Sequence, residues 1–192
     1  MVSRPTEELV ESLATVKPTP AAGPAAALAT AAAAGIVAMA GRTSMESWDE
    51  ARAVVAQAEA LQARGRRLAD EDAEALAAYL AARHGDLTET RETRDFRLGQ
   101  ALLRAADVPL AIAETACDTA MLAAHTAEHC AGDVRPDAAA AAMLAHGAAR
   151  AAAHLVEVNL ATAPDDERVR HAQGLVRAAA AAAETAAQRA DF

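Results

Sequence analysis

The sequence predicts an all-α fold, and three observations carry that expectation. Hydrophobic residues fill 53% of its 192 positions while aromatics fill only 2%. Alanine supplies most of that apolar content, with leucine and valine behind it. No segment alternates β-branched and polar residues as a half-buried strand would. Alanine is the best helix former and fills a wide sheet core poorly, so closely packed helices follow. At 19.7 kDa the chain fits a single domain, residues 1–192, with a substantial core.

The helices can be read off in order. Thr6 to Ala14 forms a short amphipathic segment with Leu9, Val10 and Leu13 on one side. In VKPTPAAGPAAA the prolines Pro18, Pro20 and Pro24 hold a loop open, and Pro24 suits the first turn of a second helix running to about Gly41. That helix is nearly free of charge on every face, which predicts burial all round. Ser47-Trp48-Asp49-Glu50 reads as a capping box that opens a long third helix ending at His84-Gly85. Gly65 within it marks a kink or a close helix contact. A fourth helix starts from Thr88, is rich in charge to Arg97, and meets a break or kink at Asp107-Val108-Pro109 before continuing to Gly132. Arg135-Pro136-Asp137 opens a fifth, and Ala163-Pro164-Asp165-Asp166-Glu167 opens a last one with its acids at the dipole-favoured end. The plan is an up-down bundle of roughly five to seven long antiparallel helices.

Charge and composition exclude several function classes. Eighteen Lys and Arg against 27 Asp and Glu give a formal charge of -9, which opposes a phosphate backbone, so nucleic acid is not an expected partner. No basic n-region followed by an apolar run begins the chain, and the alanine segments read as too weakly hydrophobic to span a membrane. A soluble, cytoplasmic protein is expected. Cys117 and Cys130 suggest buried small hydrophobes rather than a disulfide framework. Alanine faces bury little area each, so a second subunit is a natural source of further burial and a homodimer is expected; the alternative is a monomer whose alanines reflect coding bias. Neither a phosphate-binding glycine loop, a nucleophile paired with its base, nor an aromatic platform is present, so no bound prosthetic group or metal is expected.

Three constellations can carry chemistry. In Asp70-Glu71-Asp72-Ala73-Glu74 four carboxylates crowd a mid-helix stretch where like charges repel. Asp72 shares a stripe with Leu68, Leu76 and Tyr79, so its carboxylate points toward the apolar side, where its proton affinity would rise and suit general acid or base work. The competing reading is a solvated acidic face balanced by Arg64, Arg66 and Arg67. His125-Thr126-Ala127-Glu128-His129 matches H-x-x-E-H, whose histidines share a face as zinc ligands do, but it sits at a helix end where polar residues are expected anyway. His146, Arg150 and His154 form a basic stripe on the fifth helix, with Asn159 beyond. It can hold an anionic ligand or form the exposed edge of an amphipathic helix.

Several segments taken together, in order and at similar separations, resemble the cyclodeaminase/cyclohydrolase family. They are ELVESLA, the KPTP loop, LADEDAEALAAYL, ADVPLAIAETA and RPDAAAAAMLAHGAARAAAHLVEVNL, spanning about residues 6–162. The resemblance implies long antiparallel helices, a homodimer, a folate-binding cleft, and one-carbon chemistry on a tetrahydrofolate derivative as substrate. It implies Asp72 as the catalytic acid/base. Lys17, Pro20 and Gly23 of the loop would contact the ligand, with Asp137 and Asn159 positioning it.

Against the family pattern, Ala21, Ala22 and Pro24 replace two glycines and a serine of the loop, Leu76 replaces a phenylalanine, Pro136 a serine and Leu155 an asparagine. Arg150 and His154 stand where apolar or aromatic residues are usual. Three readings follow: a cyclohydrolase or cyclodeaminase; the same fold turned to a non-folate imine, amidine or cyclisation substrate, with Arg150 and His154 as new polar contacts; or a non-catalytic helical dimer.

Overall fold

A computed structural model describes residues 6–14, 22–84, 90–161, 163 and 165–190. Among them are six α-helices and no strand: α1 Thr6–Leu13, α2 Ala22–Thr43, α3 Ala51–His84, α4 Arg91–His129, α5 Arg135–Asn159 and α6 Glu167–Ala190, with a 3-10 turn at Gly132–Val134 leading into α5. Helix α4 lies at the centre and touches α2, α3, α5 and α6; around it α3 packs on α2, α2 on α5 and α5 on α6. All-α architecture is thereby established.

Alanine sets the texture of the core. Ala27, Ala33, Ala34, Ala113, Ala116 and Ala142 are wholly buried, and Ile112, Val37 and Val156 are its largest fully buried apolar side chains. Small side chains let the helix backbones approach closely, and buried hydroxyls become affordable because each finds a partner in its own helix. Thr30 donates to the Ala26 carbonyl at 2.9 Å, Thr115 to Ala111 at 2.7 Å, Thr119 to Thr115 at 2.7 Å and Thr126 to Leu122 at 2.8 Å. Ser44 donates to the Ala40 carbonyl at 2.8 Å and accepts from the Ala131 amide at 2.9 Å, which joins the end of α2 to the start of the turn before α5. Both cysteines are free and buried, as composition suggested.

Gly65 marks a close contact between helices. A Cβ added there would lie 3.0 Å from the Ala27 carbonyl oxygen and 3.2 Å from the Ala31 Cβ. Overpacking of this kind costs about 1–3 kcal/mol, and the helix-propensity gain of about 1 kcal/mol only partly offsets it. Gly65→Ala is therefore expected to lower stability by about 1 kcal/mol, measured by urea denaturation.

Four local expectations change. Ser47 does not cap α3: its hydroxyl donates to the Ser44 carbonyl at 3.3 Å, residues 44–50 form turns, and the helix begins at Ala51. Here the hydrogen bonds of a tight α2–α3 connection outcompete the capping box. The fourth helix opens behind Thr90, whose hydroxyl accepts from the Thr93 amide at 3.3 Å. Of the break or kink expected at Pro109 the break is absent, and α4 runs unbroken from Arg91 to His129. Finally, α2 is long and apolar enough, by length and composition, to cross a membrane, contrary to the sequence reading. Twelve of its 22 residues are buried within this chain, against α3, α4 and α5.

The last helix is fixed at its start by charge. Asp166 accepts from the Arg168 amide at 2.9 Å and pairs with its guanidinium, which also reaches Asp107 of α4 at 2.8 Å. The Arg168 hydrogen bonds hold the Asp166 carboxyl down at about 2.

Candidate active site

The alternation of faces in α3 sorts the acidic run. Glu71 and Glu74 are exposed, and Glu74 pairs with Arg104 at 3.8 Å, whereas Asp72 is half-buried on the same stripe as buried Leu68. Asp72, Leu76 and Tyr79 then line one cavity of about 420 Å³. The size suits a small-molecule ligand. The balancing reading fits only in part, since Arg64 is committed to Glu114 of α4 at 3.3 Å.

Four helices enclose this cavity. Helix α2 contributes its first turn, Ala22 and Gly23; α4 contributes Leu102, Ala105 and Pro109; α5 contributes Leu155, Val158 and Asn159. Burial raises the Asp72 proton affinity above that of an ordinary carboxyl. Asp72 makes no hydrogen bond or ion pair with another described residue that would offset this. A carboxyl in that state can both take and give a proton near neutral pH more readily than a solvated one.

Gly23 is required by space. It lies in helical backbone within α2, so no left-handed conformation is involved. An added Cβ would instead fall within contact of all three atoms of the Asp72 carboxyl group. A larger residue there would have to displace that carboxyl from where it stands.

Asn159 has a clear local origin. Proline has no amide hydrogen, so Pro109 leaves the Ala105 carbonyl, four residues back, without its helical donor. The Asn159 side-chain amide donates to that carbonyl, which lets α4 pass through the proline and ties the end of α5 to the cavity wall. Asn159→Ala is expected to cost about 1 kcal/mol, the net worth of a hydrogen bond to a part-buried carbonyl at the cavity wall. Pro109→Ala, which restores the helical donor, should recover part of that loss in a double-mutant cycle read by denaturation.

The other sequence-named residues lie elsewhere. Lys17, Pro18, Pro20 and Ala21 fall outside the described residues. Asp137 is exposed in the first turn of α5, roughly 33 Å along the axis from Asn159. Arg150 and His154 line a separate groove with Glu157, Gln173 and Arg177 between α5 and α6, and half-buried His146 lines neither. The H-x-x-E-H residues are drawn into packing. His125 bonds Glu50 at 3.2 Å, His129 stacks on buried Trp48 with centroids 5.7 Å apart, and Glu128 pairs with Arg189 at 2.7 Å. Among the described residues no three His, Cys, Asp or Glu side chains converge as a metal site would need.

Sequence reasoning did not select Tyr79 and Pro109 as cavity residues. Tyr79 stood on the Asp72 stripe and was legible as a neighbour; Pro109 carried only a backbone signal.

Fold and cavity define a class: a helical bundle presenting one partly buried carboxylate to an apolar ligand cleft. The chain belongs to the Formiminotransferase-cyclodeaminase family, whose model matches residues 5–188. Among solved structures it is similar to formiminotetrahydrofolate cyclodeaminase from Thermotoga maritima. The two share 22% identity with a TM-score of 0.81, over 98% of this chain and 94% of that one. No curated protein matches the chain.

Proposed function

We propose that this protein is a one-carbon enzyme of the cyclohydrolase or cyclodeaminase type, acting on a methenyl- or formimino-tetrahydrofolate-like ligand in the Asp72 cavity. The observation that carries the reading is the half-buried Asp72 carboxyl, raised in proton affinity and set in a cavity built from the same motifs that carry the family resemblance. In the hydrolytic direction, water adds to the methenyl carbon while Asp72 accepts its proton. Asp72 then returns that proton to the departing nitrogen as the carbon–nitrogen bond breaks, and the hydroxyl gives its own proton to solvent as the formyl group forms. In the cyclising direction, N10 closes on the carbon of the protonated formimino group, and the N10 proton passes by way of Asp72 to the amine, which leaves as ammonia. Both routes cross a tetrahedral carbon between two nitrogens, and one carboxyl that alternates between base and acid serves either.

In this reading Gly23 and Asn159 hold the ligand walls, and the loop of Lys17 and Pro20 contacts the ligand from the α2 end. Asp137 serves α5 as an acid at its dipole-favoured start. The protein acts as a soluble, cytoplasmic homodimer without a bound prosthetic group. The apolar walls made by Leu76, Leu155 and Val158 favour a second reading, a smaller non-folate amidine or imine held in the same cavity. Calorimetric titration with methenyltetrahydrofolate separates the two. Saturable binding that Leu155→Asp weakens supports the folate reading, and no heat of binding from any tetrahydrofolate derivative overturns it.

A further inference from the structure

The basic stripe on α5 is completed by α6. Arg150 and His154, four residues apart and both exposed, share one face of α5. Helix α6 packs along α5 and brings exposed Arg177 to the same groove, which holds about 450 Å³. Its floor is apolar: Ala153 is buried and Val176 half-buried, both packed with buried Val156 and Val169. No residue lines both this groove and the Asp72 cavity, so the two sites are separate.

The charges in the groove are unbalanced. Several arginines at other helix borders pair with an acid across the gap: Arg42 with Glu59, Arg64 with Glu114, Arg104 with Glu74 and Arg189 with Glu128. Among the described residues Arg150 and Arg177 form no ion pair. The one carboxylate lining the groove, Glu157, accepts from the Gln173 side-chain amide at 3.0 Å, which clasps α5 to α6 beside them. Two permanently charged guanidiniums thus share the groove with one carboxylate, in a chain whose formal charge is -9. Like charges on facing helices oppose that packing until an anion lies between them.

We infer that this groove binds a phosphoryl group, free or carried by a small molecule. A carboxylate presents two oxygens in one plane and is met by a single guanidinium fork. Two forks and an imidazole, reaching in from two helices, instead suit a group whose oxygens point in several directions. A phosphoryl group is such a group, and it brings about −1.5 to −2 charges at pH 7 to the two arginines. The groove falls within the range of small-molecule sites, about 300–1,000 Å³, and leaves room for an organic remainder on the floor of Ala153 and Val176. A nucleic-acid backbone is disfavoured, since it needs a long basic track that an acidic chain does not supply. The site stands whether or not the Asp72 cavity acts on folate.

Phosphorus NMR titration of the full chain with inorganic phosphate and with phenyl phosphate tests this, in about 0.1 M sodium chloride, where the screening length is about 10 Å. Saturable binding of phenyl phosphate is expected. Arg150→Gln and Arg177→Gln should each weaken it about three- to tenfold, and the double variant at least about tenfold. Arg66→Gln, on an exposed position of α3, should leave it unchanged. All three arginines are exposed, so helical circular dichroism should be retained in every variant. Tighter binding of phenyl phosphate than of phosphate supports an organic phosphate as the ligand, and equal binding supports free phosphate. Citrate that displaces phenyl phosphate at a lower concentration than phosphate does overturns the phosphoryl assignment in favour of a polycarboxylate. No saturable binding of either probe, or binding that the double variant keeps at wild-type strength, overturns the site.

Discussion

Asp72→Asn is expected to reduce turnover by about 10²–10⁴-fold, the range for removing a positioned acid or base. The same substitution should raise stability at neutral pH. Burial lifts the Asp72 proton affinity, so the folded state holds that proton more tightly than the unfolded chain, whose carboxyl titrates near 3.8. The favourable contribution is therefore fully present below 3.8 and is lost as pH rises through the higher folded value, above which the half-buried carboxyl is a burden on the fold. Asparagine removes the charge and keeps the shape. A thermal midpoint that rises for Asp72→Asn at pH 7, with the advantage fading toward pH 3, is the result expected from differential scanning calorimetry. An advantage independent of pH would mean that the gain has nothing to do with the carboxylate.

Gly23→Ala should be nearly as damaging to activity, by a different route. One methyl group would occupy the space of the Asp72 carboxyl, so either that carboxyl swings out of the cavity or the first turn of α2 shifts. Overpacking costs about 1–3 kcal/mol of stability, and displacing the acid/base should carry away most of the turnover. The two substitutions are expected to be strongly non-additive, because Asp72→Ala empties the space that the new methyl needs. The double variant should thus recover the stability lost by Gly23→Ala without recovering turnover. Equal stability losses for Gly23→Ala with and without Asp72 would show that the glycine serves something other than this contact.

How much of this was legible in the sequence follows from the kind of signal each feature leaves. The helices were readable because alanine runs, caps and prolines are local, and Asp72 was readable because a stripe shared with Leu68, Leu76 and Tyr79 fixes its direction on α3. Ser47 misled because its capping-box pattern competes with a turn that depends on Ser44 and on the neighbouring Ala131, far away in sequence. Asn159 was named from resemblance as a ligand residue. Its bond to the Ala105 carbonyl could not be foreseen, since it needs α4 and α5 side by side at the one carbonyl that Pro109 orphans. The separation of Arg150 and His154 from the cavity is likewise tertiary: spacing places both on one stripe of α5 but does not say that the stripe turns toward α6. Gly23 was named from resemblance as a ligand contact; its close approach to the Asp72 carboxyl could not be foreseen, since it needs α2 and α3 side by side.

The central claim, that the Asp72 cavity performs one-carbon chemistry on a tetrahydrofolate derivative, is tested most directly by steady-state turnover. Wild type and Asp72→Asn would be assayed side by side with methenyl- and formimino-tetrahydrofolate. Turnover of one of the two by wild type above the uncatalysed rate, reduced at least about a hundredfold in Asp72→Asn, is the result expected. No turnover of either compound by folded wild type, or full activity in the Asp72→Asn variant, would contradict it.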